Sequence, residues 1–230
     1  MDCDLAAGAI KFLLKLGNSA SLVDAIRLAG SLDEELWTQF IGRWDELDVL
    51  HAGDLNPPSA IDLDSLQRVL SVARSQYEVI CVDLASRLDP FSLDLIRESR
   101  RVFVVTTPEL VPLHLAGKRI AALQELGLGD RVSLLLNRKG GKWRELPDDK
   151  VVQSVGMPVA FSFSNDYRSV KKSIIAGSPV AQDSKLGQGI LNLARTLAPH
   201  LEPKSPPKQH KFLEFFSVPR DEEFESMWRG

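Results

Sequence analysis

Three short runs of Val, Leu and Ile residues, separated by polar or helix-like segments, dominate the middle of the chain. They occupy residues 78–84, 101–107 and 131–138. Between the second and third runs, residues 112–126 carry apolar side chains at helical spacing, and Gly127 follows as a helix stop. Apolar runs that alternate with amphipathic helices are typical of a parallel sheet with helices on both faces. The sequence therefore predicts an α/β fold with a mostly parallel sheet in three layers, α/β/α.

Composition narrows the class of protein. The chain has 230 residues, of which 44% are hydrophobic and 26% charged, as in a soluble protein with one domain of ordinary size. The net charge of -3 disfavours a nucleic-acid surface. Cys3 and Cys81 both lie in apolar runs and give no disulfide framework, which fits a reducing cytoplasm. The sequence shows no signal peptide, no apolar run of membrane-spanning length and no histidine spacing typical of a metal site.

Asp83 is the first candidate site residue. It lies near the end of the first apolar run, so a parallel strand would place it at the carboxyl edge of the sheet, where open α/β folds bind ligands. In nucleotide hydrolases of this architecture, an Asp at that place holds Mg²⁺ or its water shell. An Asp that caps the following turn would give the same pattern. The spacing alone leaves both interpretations open.

The order of these segments resembles one family. The segments VICVDLASRLDP (79–90), VFVVTTPELVPL (102–113) and LLLNR (134–138) resemble the MinD/ParA superfamily of deviant Walker A ATPases, and within it the CpaE/TadZ branch of pilus-assembly and localisation ATPases. The resemblance runs from Asp2 to about Leu197. It implies a P-loop NTPase fold of the SIMIBI class over residues 1–200, incomplete at its N-terminus relative to the family. Residues 201–230 are then a Pro-rich linker and flexible tail.

The resemblance implies a magnesium site at the start of the chain. By position in the D-x-D segment that opens the sequence, Asp4 corresponds to a catalytic acid, which with Asp83 would bind Mg²⁺ and the attacking water. Asp2 would support them as a cofactor-binding residue. From the residues alone, Asp2 and Asp4 also fit a solvated N-terminus.

The resemblance also implies an adenosine site and the cofactors ATP or ADP with Mg²⁺. Asn137 follows the third strand, where its amide would read the adenine edge, although a turn-forming Asn fits the sequence equally well. Asn165 and Asp166 fall in the loop that flanks the adenosine in this family.

The family's first strand and phosphate-binding loop have no counterpart in these 230 residues. The Gly-Lys cluster at 138–142 follows the third strand and lacks the downstream Ser or Thr, so a basic turn is the favoured interpretation. Backbone amides and a lysine normally neutralise the β- and γ-phosphates. We therefore expect weak or no ATP hydrolysis, and whether the chain is an enzyme stays open. The absent strand belongs in mid-sheet, so its neighbours must repack, pair with another chain or leave an edge exposed.

The other predicted elements are shorter. Ser21 is a helix cap, and Trp37, Phe40 and Trp44 are predicted to lie in the core, with an interaction face as the alternative. Helices are predicted at 9–16, 22–29, 33–40, 61–76, 169–176 and 186–197, and strands at 48–53 and within 156–166.

The end of the chain changes character. A Pro- and Lys-rich linker at 203–210 precedes an apolar cluster at 211–216 and four acids between 221 and 225. These acids would be repelled by an anionic membrane, so a disordered or partner-binding tail is favoured over weak membrane contact.

Three functional hypotheses follow. The first is a CpaE/TadZ-like protein of the cytoplasm, polar or peripheral at the inner membrane, that forms a homodimer and binds components of a pilus or secretion apparatus. The second is a non-catalytic dimerising scaffold that binds a partner through its tail. The third is a ParA-type partitioning ATPase, which the overall negative charge disfavours.

Overall fold

The computed structural model of the protein describes residues 1–53, 61–140 and 146–199. Two of the interpretations above fall elsewhere in the chain. The second half of the Gly-Lys cluster and the tail at 201–230 lie outside the described residues.

Strands and helices alternate along most of the described chain. In order they are β1 Asp2–Cys3, α1 Ile10–Leu13, α2 Leu22–Arg27, α3 Glu34–Trp37, β2 Gly42–Trp44, β3 Leu47–Val49, α4 Leu63–Gln76, β4 Asp83–Leu84, α5 Pro90–Glu98, β5 Val102–Thr106, α6 Leu110–Glu125, β6 Val132–Lys139, α7 Asp148–Val155, β7 Val159–Ser164, α8 Tyr167–Ala176 and α9 Lys185–Leu197.

The strands are mostly parallel, as predicted. β1 pairs with β4, and β5, β6 and β7 form a second parallel sheet in that order. β2 and β3 form an antiparallel hairpin. The α/β class with a mostly parallel sheet is therefore confirmed.

Side-chain caps set where most of the longer helices begin. Ser21 and Asp24 form a reciprocal capping box at α2, as the sequence predicts for Ser21. Asp89 caps α5 through the Ser92 amide, with Pro90 at the first helical position. Helices α5 and α7 are not among those predicted from the sequence. At the other end, α1 stops early because Lys15 adopts a left-handed φ of 50°.

Two hydrophobic cores lie on either side of β4. The N-terminal core, built mainly from α2 and α4, includes Leu22, Leu66 and Val69; the C-terminal core, built from β5, β6, α6 and α7, includes Leu134 and Ile120. Leu84 packs against both cores. The Arg119 Nε atom also joins the halves by donating to the Ser86 carbonyl oxygen at 2.8 Å.

The aromatic residues near α3 are partly as predicted. Trp37 and Phe40 are 3% and 2% exposed, which confirms their place in the core. Trp44 is only half-buried, and its Nε1 atom donates to the Gly177 carbonyl oxygen at 3.1 Å. This bond ties the β2–β3 hairpin to the end of α8.

The predicted strand at 78–84 is wrong over most of its length. Only Asp83–Leu84 forms a strand, Val79 is 51% exposed and Cys81 is exposed. Its neighbour β1 is two residues long, and no described strand pairs with its other side. A run without partners on both sides cannot be buried as a central strand.

The sheet is therefore interrupted between β4 and β5. Within residues 1–53, 61–140 and 146–199, these two strands belong to separate sheets. Val105, in the middle of β5, is 58% exposed. Within the described residues, β4 and β5 each have one edge without a partner strand.

The predicted strand at 48–53 is also displaced. The strand is Leu47–Val49, and residues 50–53 continue without strand pairing. Their backbone is used differently: the Leu50 and His51 carbonyl oxygens accept from the Asp2 and Leu22 amides at 2.9 and 2.8 Å.

Candidate functional site

Asp2 and Asp83 lie side by side at the edge of the β1–β4 pair. Their Cα atoms are partners in the parallel register, and the Asp83 amide donates to the Met1 carbonyl oxygen at 2.9 Å. Parallel pairing brings the carboxyl ends of both strands to the same edge. The structure thus places together two acids that are 81 positions apart in sequence.

The Asp2 carboxylate faces the protein interior. Asp2 is 1% exposed, and its Oδ1 and Oδ2 atoms accept from the amides of Asp4 at 3.3 Å and Ile10 at 3.1 Å. A buried carboxylate is strongly unfavourable unless hydrogen bonds compensate its lost hydration. Asp2 therefore organises the loop that connects β1 to α1, and both of its oxygens are engaged there.

Gly8, in the same loop, lies against the Asp2 carboxylate. A Cβ atom at Gly8 would lie 2.8 Å from both Asp2 carboxylate oxygens and 2.7 Å from the Ala52 Cβ atom. Side chains do not tolerate such contacts, so a residue without Cβ is required at this position.

Asp4 lies at the start of the same loop. Its Oδ1 atom accepts from the amides of Ala6 and Ala7 at 3.2 and 3.0 Å, which is an Asx turn. Asp4 is half-buried, between the buried Asp2 and the exposed Asp83.

The surroundings of Asp83 raise the pKa of its carboxyl group. Although the residue is exposed overall, partial desolvation of its carboxyl group raises its pKa above the usual range, and the charges of Asp2 and Asp4 raise it further. The N-terminal ammonium opposes this effect; it donates to the Cys81 carbonyl oxygen at 2.7 Å. Three acids at one edge favour the binding of a cation, since a cation would relieve their repulsion.

The arrangement is nevertheless not a ready-made metal site. Among the described residues, no group of three or more His, Cys, Asp or Glu side chains is arranged to hold a metal ion. The orientation of Asp2 explains this, because its oxygens bind backbone amides of the loop. Asp4 and Asp83 are the carboxylates with the exposure to meet a hydrated Mg²⁺.

The predicted adenosine residues form a second group, at the carboxyl ends of β6 and β7. The Asn165 amide donates to the Lys139 carbonyl oxygen at 2.8 Å. The Oδ1 atom of Asn137 accepts from the amide of Arg138 at 2.8 Å, and Arg138 has a left-handed φ of 60°. In this structure Asn137 lies within β6, and its amide oxygen supports the irregular pairing of that strand between Leu136 and Lys139.

Asp166 joins the starts of two helices. Its Oδ1 atom accepts from the Ser169 amide at 3.2 Å, which caps α8, and its Oδ2 atom accepts from the Leu186 amide at 3.4 Å. Hydrogen bonding from Ser169 is the main reason that the pKa of Asp166 lies below its usual range. Asp166 thus has a structural role that the sequence analysis does not assign to it.

One surface on α8 is absent from the predicted sites. A shallow depression of about 550 Å³ lies there, lined by Tyr167, Arg168, Lys171, Lys172, Ile175 and Ala176. The signal in the sequence is the spacing of Arg168, Lys171 and Lys172 at i, i+3 and i+4, which places three cations on one helix face.

Comparisons with known proteins agree with this architecture. No protein-family model matches the chain. The septum site-determining protein MinD of Synechocystis is 22% identical over 162 residues, which cover 67% of this chain and 60% of that protein. The chain thus spans less than two thirds of this relative.

Solved structures of related ATPases superpose on most of the chain. A ParA family ATPase from Chlorobium tepidum has a TM-score of 0.74 at 23% identity, covering 85% of this chain and 83% of that one. MinD from Pyrococcus horikoshii complexed with Mg-ADP gives 0.61 at 20% identity, covering 85% and 81%. MinD in the MinC:MinD complex of Aquifex aeolicus gives 0.67 at 19% identity, covering 89% and 84%.

The geometry and the comparisons together define the class of fold. The chain has an α/β fold with parallel strands, whose carboxyl ends carry the candidate site. Within that class, it has the fold of the MinD and ParA ATPases. None of the described helices combines the length and the apolar character needed to cross a bilayer.

The close approach at Gly8 predicts a specific loss of stability. Gly8→Ala should lower the free energy of unfolding by about 1–3 kcal/mol, because the new methyl group collides with the Asp2 carboxylate. The matched control is Gly17→Ala, where a Cβ atom meets nothing within 4 Å. Urea unfolding followed by circular dichroism measures both, and equal midpoints for the two variants would contradict this role of Gly8.

The raised pKa of Asp83 predicts a pH-dependent effect. The Asp83 carboxyl group has a higher pKa in the folded than in the unfolded protein. Such a group contributes stability at pH values below its pKa in the unfolded protein, and this contribution is lost as the pH rises through its pKa in the folded protein. Asp83→Asn should therefore raise the urea midpoint at pH 7, and the difference from the wild type should vanish below about pH 3. Asp183→Asn, at an exposed position, is the matched control and should leave the midpoint unchanged. A midpoint that falls at pH 7 in Asp83→Asn would contradict the repulsion among the three acids.

Proposed function

We propose that the chain is a MinD/ParA-type, ATPase-related protein of the CpaE/TadZ kind, which acts in the localisation or assembly of a pilus or secretion apparatus. The observation that carries the ATPase relationship is the Asp2–Asp83 pair at the carboxyl edge of a parallel sheet with the MinD/ParA fold. The pilus or secretion role rests on the CpaE-like order of the segments at 79–90, 102–113 and 134–138.

The proposed roles divide between the two groups of polar residues. Asp4 and Asp83 bind Mg²⁺ and act on the attacking water, and Asp2 supports them by fixing the loop. Asn137 reads adenine once its amide leaves the Arg138 amide, and Asn165 and Asp166 border the adenosine. The MinD of Pyrococcus horikoshii, which shares the fold, was solved with Mg-ADP, and this supports ATP or ADP with Mg²⁺ as the cofactor.

Nucleotide binding by these 230 residues is proposed to be weak, and hydrolysis slow or absent. Phosphoryl transfer depends on cations and amides that neutralise the β- and γ-phosphates. The described edge of β1 and β4 instead presents carboxylates, and the pKa of Asp83 is already raised by desolvation and by the charges of Asp2 and Asp4. The phosphates of ATP would add further negative charge at this edge.

The partners are proposed from the same family. We infer that residues 1–200 form the ATPase-like domain and residues 201–230 a separate tail. The domain forms a homodimer, and its surface recognises components of the apparatus in the cytoplasm or at the pole and periphery of the inner membrane. The Aquifex MinD that shares the fold was solved in complex with MinC, which supports recognition of a protein partner.

A non-catalytic scaffold is the second candidate function. One observation favours it: both oxygens of the buried Asp2 are committed to backbone amides, which leaves two of the three acids for a metal ion. A scaffold needs the fold, a dimer surface and a partner-binding tail, but no catalytic metal.

A titration with Mg-ATP separates these two functions. We expect the 230-residue chain to bind Mg-ATP with a Kd of about 1 mM or weaker, which corresponds to about 4 kcal/mol. The affinity for Mg-ATP should be lower in Asp83→Asn and in Asn137→Ala than in the wild-type chain, and it should be unchanged in Asp183→Asn. Isothermal titration calorimetry gives the Kd, and phosphate release gives hydrolysis.

The outcomes of this titration discriminate clearly. Rapid hydrolysis would refute the proposed weak activity. Tight binding that is insensitive to Asp83→Asn would show that nucleotide binds elsewhere. The absence of binding at 10 mM Mg-ATP would favour the scaffold.

Disruption of the gene tests the biological role. In the source organism, loss of the protein should reduce surface pili or secretion, with chromosome and plasmid partitioning unchanged. Electron microscopy of pili and a plasmid-loss assay measure the two processes in the same strain, and re-expression of the wild-type chain is the control. A partitioning defect with normal pili and secretion would contradict the proposal in favour of a ParA-type role.

A further inference from the structure

Helix α8 presents an apolar surface that no described element covers. None of its residues is buried, and Tyr167 and Ile175 are 71% and 66% exposed. Ile174, next to Ile175, is 46% exposed. Of these three side chains, Tyr167 and Ile175 line the depression described above, so that it has apolar walls. Exposed apolar patches mark binding sites in soluble proteins.

The same surface is strongly positive. Arg168, Lys171 and Lys172 line the depression, and none of the ion pairs found among the described residues involves them. Lys15 adds a fourth cation at the end of the helix, where its Nζ atom donates to the Ile175 carbonyl oxygen at 2.7 Å. The nearby acid, Asp166, is committed to the amides of α8 and α9. A ligand for this surface should therefore be both acidic and apolar.

The helix is held in place at both ends. Asp166 caps its first turn, while Trp44 and Lys15 bind the carbonyl oxygens of Gly177 and Ile175 at its last turn. The Ser173 hydroxyl donates to the Ser178 carbonyl oxygen at 2.6 Å. The exposed face thus belongs to a fixed platform, so a ligand would not have to order it on binding.

One segment of this chain has the complementary chemistry. Residues 221–228 read Asp-Glu-Glu-Phe-Glu-Ser-Met-Trp, with four carboxylates and three large apolar side chains. We propose that this acidic–aromatic segment docks in the depression on α8 of the same molecule. Its carboxylates pair with the cations at the rim, and its aromatic side chains cover the exposed Tyr167 and Ile175. A volume of about 550 Å³ is within the range of pockets that hold such groups.

The connection between the two sites has a suitable length. Residues 200–220 separate the end of the described chain from the segment, and a chain of this length can reach at most about 70 Å. Helix α9 begins beside the start of α8, through the Leu186–Asp166 bond, and its 13 residues are about 20 Å long. The segment is therefore long enough to return to α8, and its docking is an intramolecular event.

Docking of this kind would control access to α8. Any acidic partner of the α8 surface must displace the tail, and any partner that takes up the tail exposes α8. This inference does not depend on nucleotide binding, so its test is separate from that of the proposed function.

Disulfide trapping in the full chain tests the docking. Ile175→Cys and Met227→Cys are introduced together with Cys81→Ser, which removes the exposed native thiol. Cys3 can stay, because burial raises the pKa of its thiol to about 12 and makes it unreactive. The matched control replaces Ile175→Cys by Leu115→Cys, at a position on α6 that is 42% exposed. Mild oxidation should give an intramolecular disulfide at least tenfold faster in the Ile175 pair.

Charge variants test the mechanism of docking. Lys171→Glu with Lys172→Glu should slow disulfide formation about tenfold, whereas Arg68→Glu with Lys118→Glu, at exposed positions on α4 and α6, should not. Salt at 1 M should slow the reaction as well, since the Debye length falls to about 3 Å.

Two outcomes overturn the proposal. Equal rates for the Ile175 and Leu115 pairs would mean that the tail does not select α8 and that the surface takes an external acidic ligand. Disulfide-linked dimers as the main product, with a rate that rises with protein concentration, would assign the surface to the tail of a second copy.

Discussion

The buried carboxylate of Asp2 is the interaction on which the candidate site depends. It binds the amides of Asp4 and Ile10, and so fixes the loop between β1 and α1. The cost of burying this charge is offset by these hydrogen bonds, which occupy both carboxylate oxygens. The same residue therefore builds the site and limits its capacity for a metal ion, while its charge raises the pKa of Asp83.

The interrupted sheet has an energetic consequence for the whole chain. Each half has a hydrophobic core of its own, but β4 and β5 share no ladder of hydrogen bonds in the described residues. Leu84 and the Arg119–Ser86 bond join the halves instead. The exposed Val79 and Val105 add apolar surface at this junction, which is the kind of open edge that pairs readily with other chains.

Much of the fold could be predicted from the sequence, because its signals are local. β5, β6 and α6 follow from apolar periodicity, and Ser21 caps α2 as predicted. The length of β4 could not be predicted, since a run becomes a strand only when neighbours pair with it. At the site, the position of Asp2 beside Asp83 follows from strand order, but its inward orientation depends on amides brought by the folded loop. The start of α5 could have been predicted from Asp89, its N-cap, and Pro90, its first helical residue. The start of α7 could not be predicted in this way, because no side chain caps it.

Charge, rather than fold, decides what such a chain can bind. The fold, shared with MinD and ParA structures at about 20% identity, determines where the strands end. The chemistry at those ends depends on the side chains that this sequence places there. Here the carboxyl edge of β1 and β4 carries Asp2, Asp4 and Asp83, and the charges of Asp2 and Asp4 raise the pKa of Asp83 in addition to the effect of its desolvation. The cations instead cluster on α8, beside exposed Tyr167 and Ile175. An anionic ligand would therefore be attracted to α8 and repelled by the carboxylates at the edge of β1 and β4. Only a bound cation such as Mg²⁺ could turn that repulsion into attraction.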